Sequence, residues 1–200
     1  MANAIAKAMP DNEVIFRDDH EHLPYGTKSI EEIRQFVTPI IKDMASHCDV
    51  IVVACNTVST NLINELRAEV KIPLIAVEPM VKPAAALSKS RVIAVCATPR
   101  TLASQRYAEL KSRYAQGVKV FEPDCSDWTS LIESNSMDRH RIQAEVDQVC
   151  NAGADVIVLG CTHYHWIEED IKRAANGRAQ VLQPEQPVID QLKQVIAQLP

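Results

Sequence analysis

The residues best placed to do chemistry sit in one short phrase that the chain writes twice. Asp49-Val50-Ile51-Val52-Val53-Ala54-Cys55-Asn56-Thr57 returns as Asp155-Val156-Ile157-Val158-Leu159-Gly160-Cys161-Thr162-His163. In each copy an Asp opens a run of mostly β-branched residues, a Cys follows six positions on, and a Thr lies within two residues of that Cys. A thiol with an ordinary pKa of about 8.5 is a base when ionised and an acid when not. Two thiols on opposite faces of a tetrahedral carbon could remove a proton from one side and return one to the other, which inverts the centre. The same residues allow two other chemistries. A pair of thiols can be redox partners, although that commonly uses a C-x-x-C spacing that is missing here. A single Cys with a His can be a nucleophile, and His163 is two residues from Cys161.

Such thiols need elements that bring them together. Apolar β-branched runs alternate with helical patterns, which predicts a mostly parallel α/β architecture. Helices are expected near 2–8, 29–46, 59–69, 80–88, 101–114, 138–152, 165–175 and 186–198. Strands are expected near 13–17, 49–54, 73–77, 91–96, 118–122, 155–159 and 180–182. Ser29-Ile30-Glu31-Glu32 reads as a capping box, and Asn176-Gly177 as a helix stop. The spacing predicts two pseudo-symmetric doubly wound lobes with the active site between them. Residues 1–82 plus 183–200 would carry Cys55, and residues 83–182 would carry Cys161. Strand ends in such sheets, beside the N-termini of the following helices, are where ligands sit.

Composition removes several classes. The net charge of −5 comes with no basic run, so nucleic acid is not the expected partner. No stretch approaches the ~18 apolar residues of a membrane span, and no charged-then-apolar leader pattern opens the chain, so a cytoplasmic location is expected. The spacings of the six cysteines fit no common zinc pattern. Neither G-x-G-x-x-G nor a P-loop is present, which leaves a small anionic ligand as the better guess.

At this point the residues resemble a known family. Cys55-Asn56-Thr57-Val58-Ser59 and Gly160-Cys161-Thr162-His163-Tyr164 look like the two cysteine motifs of the cofactor-independent glutamate racemases, within the wider aspartate/glutamate racemase superfamily. Asp19 through Ser29, with Pro24-Tyr25-Gly26, resembles the family's Asp…Pro-Tyr-Gly-x-Lys-Ser loop. Val77-Glu78-Pro79, Ala97-Thr98-Pro99-Arg100-Thr101 and the segment from Cys125 to Glu133 resemble further family pieces in order. The resemblance implies conversion of L- to D-glutamate for peptidoglycan supply, with no cofactor and no metal. It also implies no nucleic-acid or membrane partner, and it allows a homodimer. It gives Cys55 and Cys161 as the two acid/base residues, with Asp19 assisting Cys55, and Glu133 and His163 assisting Cys161. Pro24, Tyr25, Gly26, Asn56, Thr57 and Thr162 would bind the substrate.

The chain also departs from the family. Nothing in it matches the strand and Asp-Ser-Gly-x-Gly-Gly loop with which the family begins, and His165-Trp166 replaces the usual Pro and aliphatic after His-Tyr. On that ground the 200 residues are expected to racemise glutamate little or not at all, with low stability, a re-paired sheet or a partner chain beside the first strand. Two alternatives therefore stand beside glutamate racemisation. One is a truncated or degenerate homologue without turnover. The other is a superfamily relative acting on another small carboxylic acid, such as a one-cysteine decarboxylase.

Overall fold

Both copies of the repeated phrase fold as strands, and every strand pairing is parallel. In the computed structural model, which describes residues 1–199, Ile51–Val53 forms β1 and pairs with β2, Leu74–Ala76. Pro200, the last residue of the expected first lobe, lies outside the described residues. This two-stranded sheet would be marginal alone, but helices bury both of its faces. Ile51, Val53 and Leu74 pack with Ile33, Val37 and Ile41 of α2 (Ile30–Ala45) and Leu62, Ile63 and Leu66 of α3 (Asn56–Glu69). Val50, Val52, Ile75 and Val77 point the other way, onto Ile5 of α1 (Ala2–Ala8) and Val188, Ile189 and Leu192 of α10 (Glu185–Ile196). The alternation is the period of two that a strand imposes.

The second sheet has four strands in the order β4-β3-β5-β6: Lys119–Phe121, Val92–Ala97, Val156–Gly160 and Gln180–Leu182. One face packs on α7 (Trp128–Glu133), α8 (Arg139–Asn151) and α9 (Glu168–Ala175) through Trp128, Ile142, Val146 and Ile171. The other packs on α4 (Val81–Leu87) and α6 (Gln105–Tyr114) through Val81, Ala84, Tyr107 and Leu110. Among the described residues no helix is long and apolar enough to cross a membrane.

The differences from the sequence expectation have local causes. Residues 13–17 form no strand: Phe16 is 63% exposed, and only Val14 of the run packs on a core. An apolar run with no ladder partner stays irregular. The single helix expected over 101–114 is two, α5 (Pro99–Leu102) and α6, because Thr98 and Ser104 each cap a separate start. Helix α7 was not anticipated, and the helix expected from 165 begins as a 3-10 turn over Thr162–Ile167. Helix α3 starts three residues earlier than its pattern suggests, which makes Cys55 its N-cap.

The Asp that opens each phrase behaves differently in the two copies. Asp49 is exposed. Asp155 accepts the Ser88 hydroxyl at 2.6 Å and the backbone N–H groups of Lys89 and Ser90 at 2.7 and 2.8 Å, tying the end of α4 to the start of β5. Partial burial opposes the Asp155 charge, but these donors outweigh it and hold the carboxyl at about 2. A depressed folded pKa stabilises above the unfolded value of 3.8 and loses that stabilisation as pH falls towards 2. In Asp155→Asn the amide nitrogen cannot accept an N–H. This variant should be less stable by about 1–3 kcal/mol in urea melts at pH 7, and the gap should shrink between pH 4 and pH 2. Coincident melts at pH 7 would show that the three hydrogen bonds contribute nothing net.

Candidate active site

The order β4-β3-β5-β6 reverses between β3 and β5, because the chain leaves β3 towards one edge and β5 towards the other. Such a switch point opens a crevice beyond the carboxyl ends of the two strands. Thr98 follows β3 and Cys161 follows β5, so both stand at that crevice. Gly160 lets the strand ends close in, since a Cβ there would meet the Ala97 Cβ at 2.9 Å and the Cys96 carbonyl at 3.2 Å. Cys55 stands at the equivalent place after β1, and Val77 and Glu78 follow β2.

Cys161 is 7% exposed and has two polar neighbours. Its Sγ is 3.8 Å from His163 Nδ1 and 3.9 Å from Thr129 Oγ1. The far side of the His163 ring closes on Glu133, Nε2 to Oε1 at 2.6 Å. The structure therefore assembles a chain of Glu133, His163 and Cys161, in which the carboxylate fixes the ring and the ring faces the sulfur. Burial pushes the Cys161 thiol up to about 12, the charge of Cys55 adds to this, and the backbone N–H of His163, the Thr129 hydroxyl and the Tyr164 N–H oppose it.

On the Cys55 side, burial again raises the thiol, against the backbone N–H groups of Val58 and Thr57 and the Thr57 hydroxyl. Asp19 is placed one group away. It accepts the Tyr25 hydroxyl and lies 2.6 Å from His22 Nδ1, whose ring stacks on Phe36 at 3.7 Å. Burial works against the Asp19 charge, but Tyr25 and His22 prevail and lower its pKa. Tyr25 in turn is raised by burial, by Asp19 and by the Cys55 charge, so it stays protonated between carboxylate and thiol. Pro24 caps the turn that carries Tyr25 and Gly26. Gly26 is needed there, since a Cβ would meet the Thr98 Cβ at 2.9 Å.

Asn56 is 2% exposed, and both its Oδ1 and its Nδ2 lack a partner. Buried amides are hydrogen-bonded with few exceptions, so this amide beside Cys55 stands open to a partner. The Thr57 Oγ1 lies 2.9 Å from Thr98 Oγ1 and 3.3 Å from Thr101 Oγ1, which joins the β1 side to the β3 side through three buried hydroxyls. Thr162 is half-buried at the start of its turn. Sequence reasoning missed Thr129. Its signal was the i, i+4 spacing to Glu133, legible only once α7 is known to be a helix. No group of three or more His, Cys, Asp or Glu among the described residues is arranged to hold a metal ion.

Comparison with known proteins places the chain in a family. Residues 1–199 match the family described as Asp/Glu/Hydantoin racemase. A glutamate racemase of Methylococcus capsulatus is 36% identical over 82% of this chain and 62% of its own length. One of Ralstonia pickettii is 33% identical over 97% of this chain and 71% of its own. The chain thus spans about three fifths to seven tenths of these relatives. Among solved structures, Escherichia coli glutamate racemase in complex with L-glutamate and the activator UDP-MurNAc-Ala superposes with a TM-score of 0.89 at 24% identity, covering 98% of this chain and 77% of that one. Francisella tularensis glutamate racemase in complex with D-glutamate gives 0.78 at 25%, covering 97% of this chain and 76% of that one.

A thiol held near 12 is about 10⁻⁴ ionised at pH 8. Without ligand, iodoacetamide should therefore label Cys161 far more slowly at pH 8 than it labels an exposed cysteine. The rate should climb about tenfold per pH unit through pH 10, because raising pH restores the thiolate that burial suppresses. Peptide mass spectrometry reads this site by site, and a plateau near pH 9 would show that the thiol is not held up.

Proposed function

This chain belongs to the Asp/Glu/Hydantoin racemase family, and we propose that it interconverts L- and D-glutamate by two-base chemistry between Cys55 and Cys161. One observation carries the reading: both thiols stand at strand ends, Cys55 after β1 and Cys161 after β5, and the buried Asn56 amide beside Cys55 has no partner. Glutamate is the preferred substrate because the relatives at 33–36% identity are named glutamate racemases. The same proposal places the protein in the cytoplasm, with D-glutamate for peptidoglycan as its product. It takes residues 1–82 with 183–200 as one lobe and residues 83–182 as the other.

The chemistry follows from the electrostatics. Two buried thiols cannot both ionise cheaply, so the pair carries at most one charge and holds one acid opposite one base. A substrate α-ammonium entering between them favours the thiolate and offsets part of the burial cost. The orphan Asn56 amide would supply both a donor and an acceptor to the substrate's carboxylate and amino groups, and Thr57 and Thr162 would supply hydroxyls. When the thiolate on one face takes the α-proton, the thiol on the other face delivers its own to the opposite side of the carbon. Glu133 and His163 would steady the charge as it arrives at or leaves Cys161. Around Cys55 the donors are backbone N–H groups and the Thr57 hydroxyl, with Asp19 acting at one remove through Tyr25. Proton transfer at Cys55 is therefore the slower half.

Circular dichroism of L-glutamate tests the proposal. Conversion should be detectable without added pyridoxal phosphate, should survive dialysis against a chelator, and should fall well below a typical ~10 s⁻¹. Cys55→Ser and Cys161→Ser should each lower it by about 10²–10⁴-fold, the range general acid–base catalysis contributes. A single variant that keeps wild-type turnover would remove its thiol from the mechanism. Turnover near ~10 s⁻¹ would show that the Cys55 side needs nothing beyond the groups named above.

A further inference from the structure

We propose that Thr129 is a positioning residue for Cys161, its hydroxyl serving as an uncharged partner that turns with the protonation state of the sulfur. The proposal rests on the two-thiol reading above and extends it to a residue outside the cysteine motifs.

A buried hydroxyl must find a partner. Thr129 is 6% exposed and sits in the first turn of α7. A helical Thr ordinarily turns its hydroxyl back onto the carbonyl four residues earlier, which here belongs to Cys125. That carbonyl is already engaged, accepting the Tyr164 hydroxyl at 3.0 Å and the Trp128 N–H at 3.2 Å. The Thr129 hydroxyl instead faces Cys161 Sγ at 3.9 Å, a separation that the large sulfur atom makes reasonable for a weak bond. Glu133 lies one turn further along the same face and holds His163, which faces the same sulfur. One short helix thus fixes the thiol from two sides, directly through Thr129 and through the imidazole by way of Glu133.

The two contacts differ in kind. A hydroxyl has one donor and two lone pairs on a free rotor, so it can donate to a thiolate and accept from a thiol. A base that must also be an acid needs such a partner. A fixed cation in its place would favour the thiolate permanently and weaken the return of the proton. The other ionisable groups facing Cys161 are Cys55 across the crevice, His163 and Tyr164 on its own turn, and Glu133 behind His163. Burial keeps Tyr164 protonated, so it brings no charge.

The test reads Cys161 itself. Iodoacetamide labelling of the wild-type chain and of Thr129→Val, Thr129→Ala and Thr129→Ser is followed at pH 9 by mass spectrometry of the Cys161 peptide, with circular dichroism to confirm folding. Loss of a hydrogen bond to a charged group should cut the thiolate fraction by about tenfold in the Val and Ala variants. The Ser variant should label at close to the wild-type rate. The Ala variant separates chemistry from access, because it opens space beside the sulfur while removing the hydroxyl. Labelling of Thr129→Ala as fast as wild type, or faster, overturns the proposal, and so does an unchanged rate in Thr129→Val. If Val fails to fold, Ala and Ser decide alone. Racemisation is assayed separately on the wild-type chain. Its absence alongside a tenfold labelling loss would sink the two-base reading while leaving the Thr129 contact in place.

Discussion

Two buried thiols are costly to ionise together, and that limit bears on everything around Cys55 and Cys161. Burial raises both, and the charge of one raises the other. In a medium of low dielectric an added like charge is far more costly than in water. The pair is thereby confined to the neutral and singly charged states, which are the two that a proton relay through a carbon would use. A wider or wetter crevice would let each thiol drift back towards its ordinary pKa and lose the opposition of acid and base.

Contacts across the β1 and β3 sides tie the two strand ends together. The Thr57, Thr98 and Thr101 hydroxyls bond among themselves across the two sides, so separating the sides would break those bonds. The backbone of Gly26 lies against Thr98, and Arg100 donates its Nε to the Lys28 carbonyl at 2.9 Å. Glu78, just past β2, is gripped by both Arg106 Nε and a terminal nitrogen at 2.7 and 3.0 Å, a two-point geometry that fixes orientation as well as distance. The Thr57 contact lies two residues from Cys55, and the Glu78 pair lies just past β2.

Much of this was legible in the sequence because it is local. A β-branched run followed by Cys and Thr predicts a buried strand with a thiol at its end, and both copies fold that way. Ser29 and Glu32 make the capping box that their spacing announces. What was not legible depends on partners distant in sequence. Residues 13–17 carry strand-like residues but no ladder, and propensity cannot report a missing neighbour. Helix α7 has six residues, too few for a helical period to show. Thr129 and the bond from Glu133 to His163 went unread or only half read with it, since their meaning lies in what β5 brings opposite them. The orphan amide of Asn56 could not be foreseen at all, because a hydrogen bond left open is a property of the fold.

The repeated phrase finally shows how far local identity constrains chemistry. The same six-residue interval places a thiol at a strand end twice, yet the surroundings diverge at both ends of the phrase. Asp49 is exposed where Asp155 binds three donors. Cys55 caps a full α-helix and takes its opposing terms from backbone N–H groups, whereas Cys161 leads into a 3-10 turn and meets an imidazole backed by a carboxylate. Helix N-terminal N–H groups favour a negative sulfur without being able to take up a proton. An imidazole held by a carboxylate instead presents the sulfur with a ring nitrogen on a side chain. In the proposed racemisation the two proton transfers would thus be served by unequal means. For enantiomers the overall equilibrium constant is one, so this inequality cannot favour either product. It would appear in kcat and KM, which can differ between the L- and D-directions while their kcat/KM values stay equal.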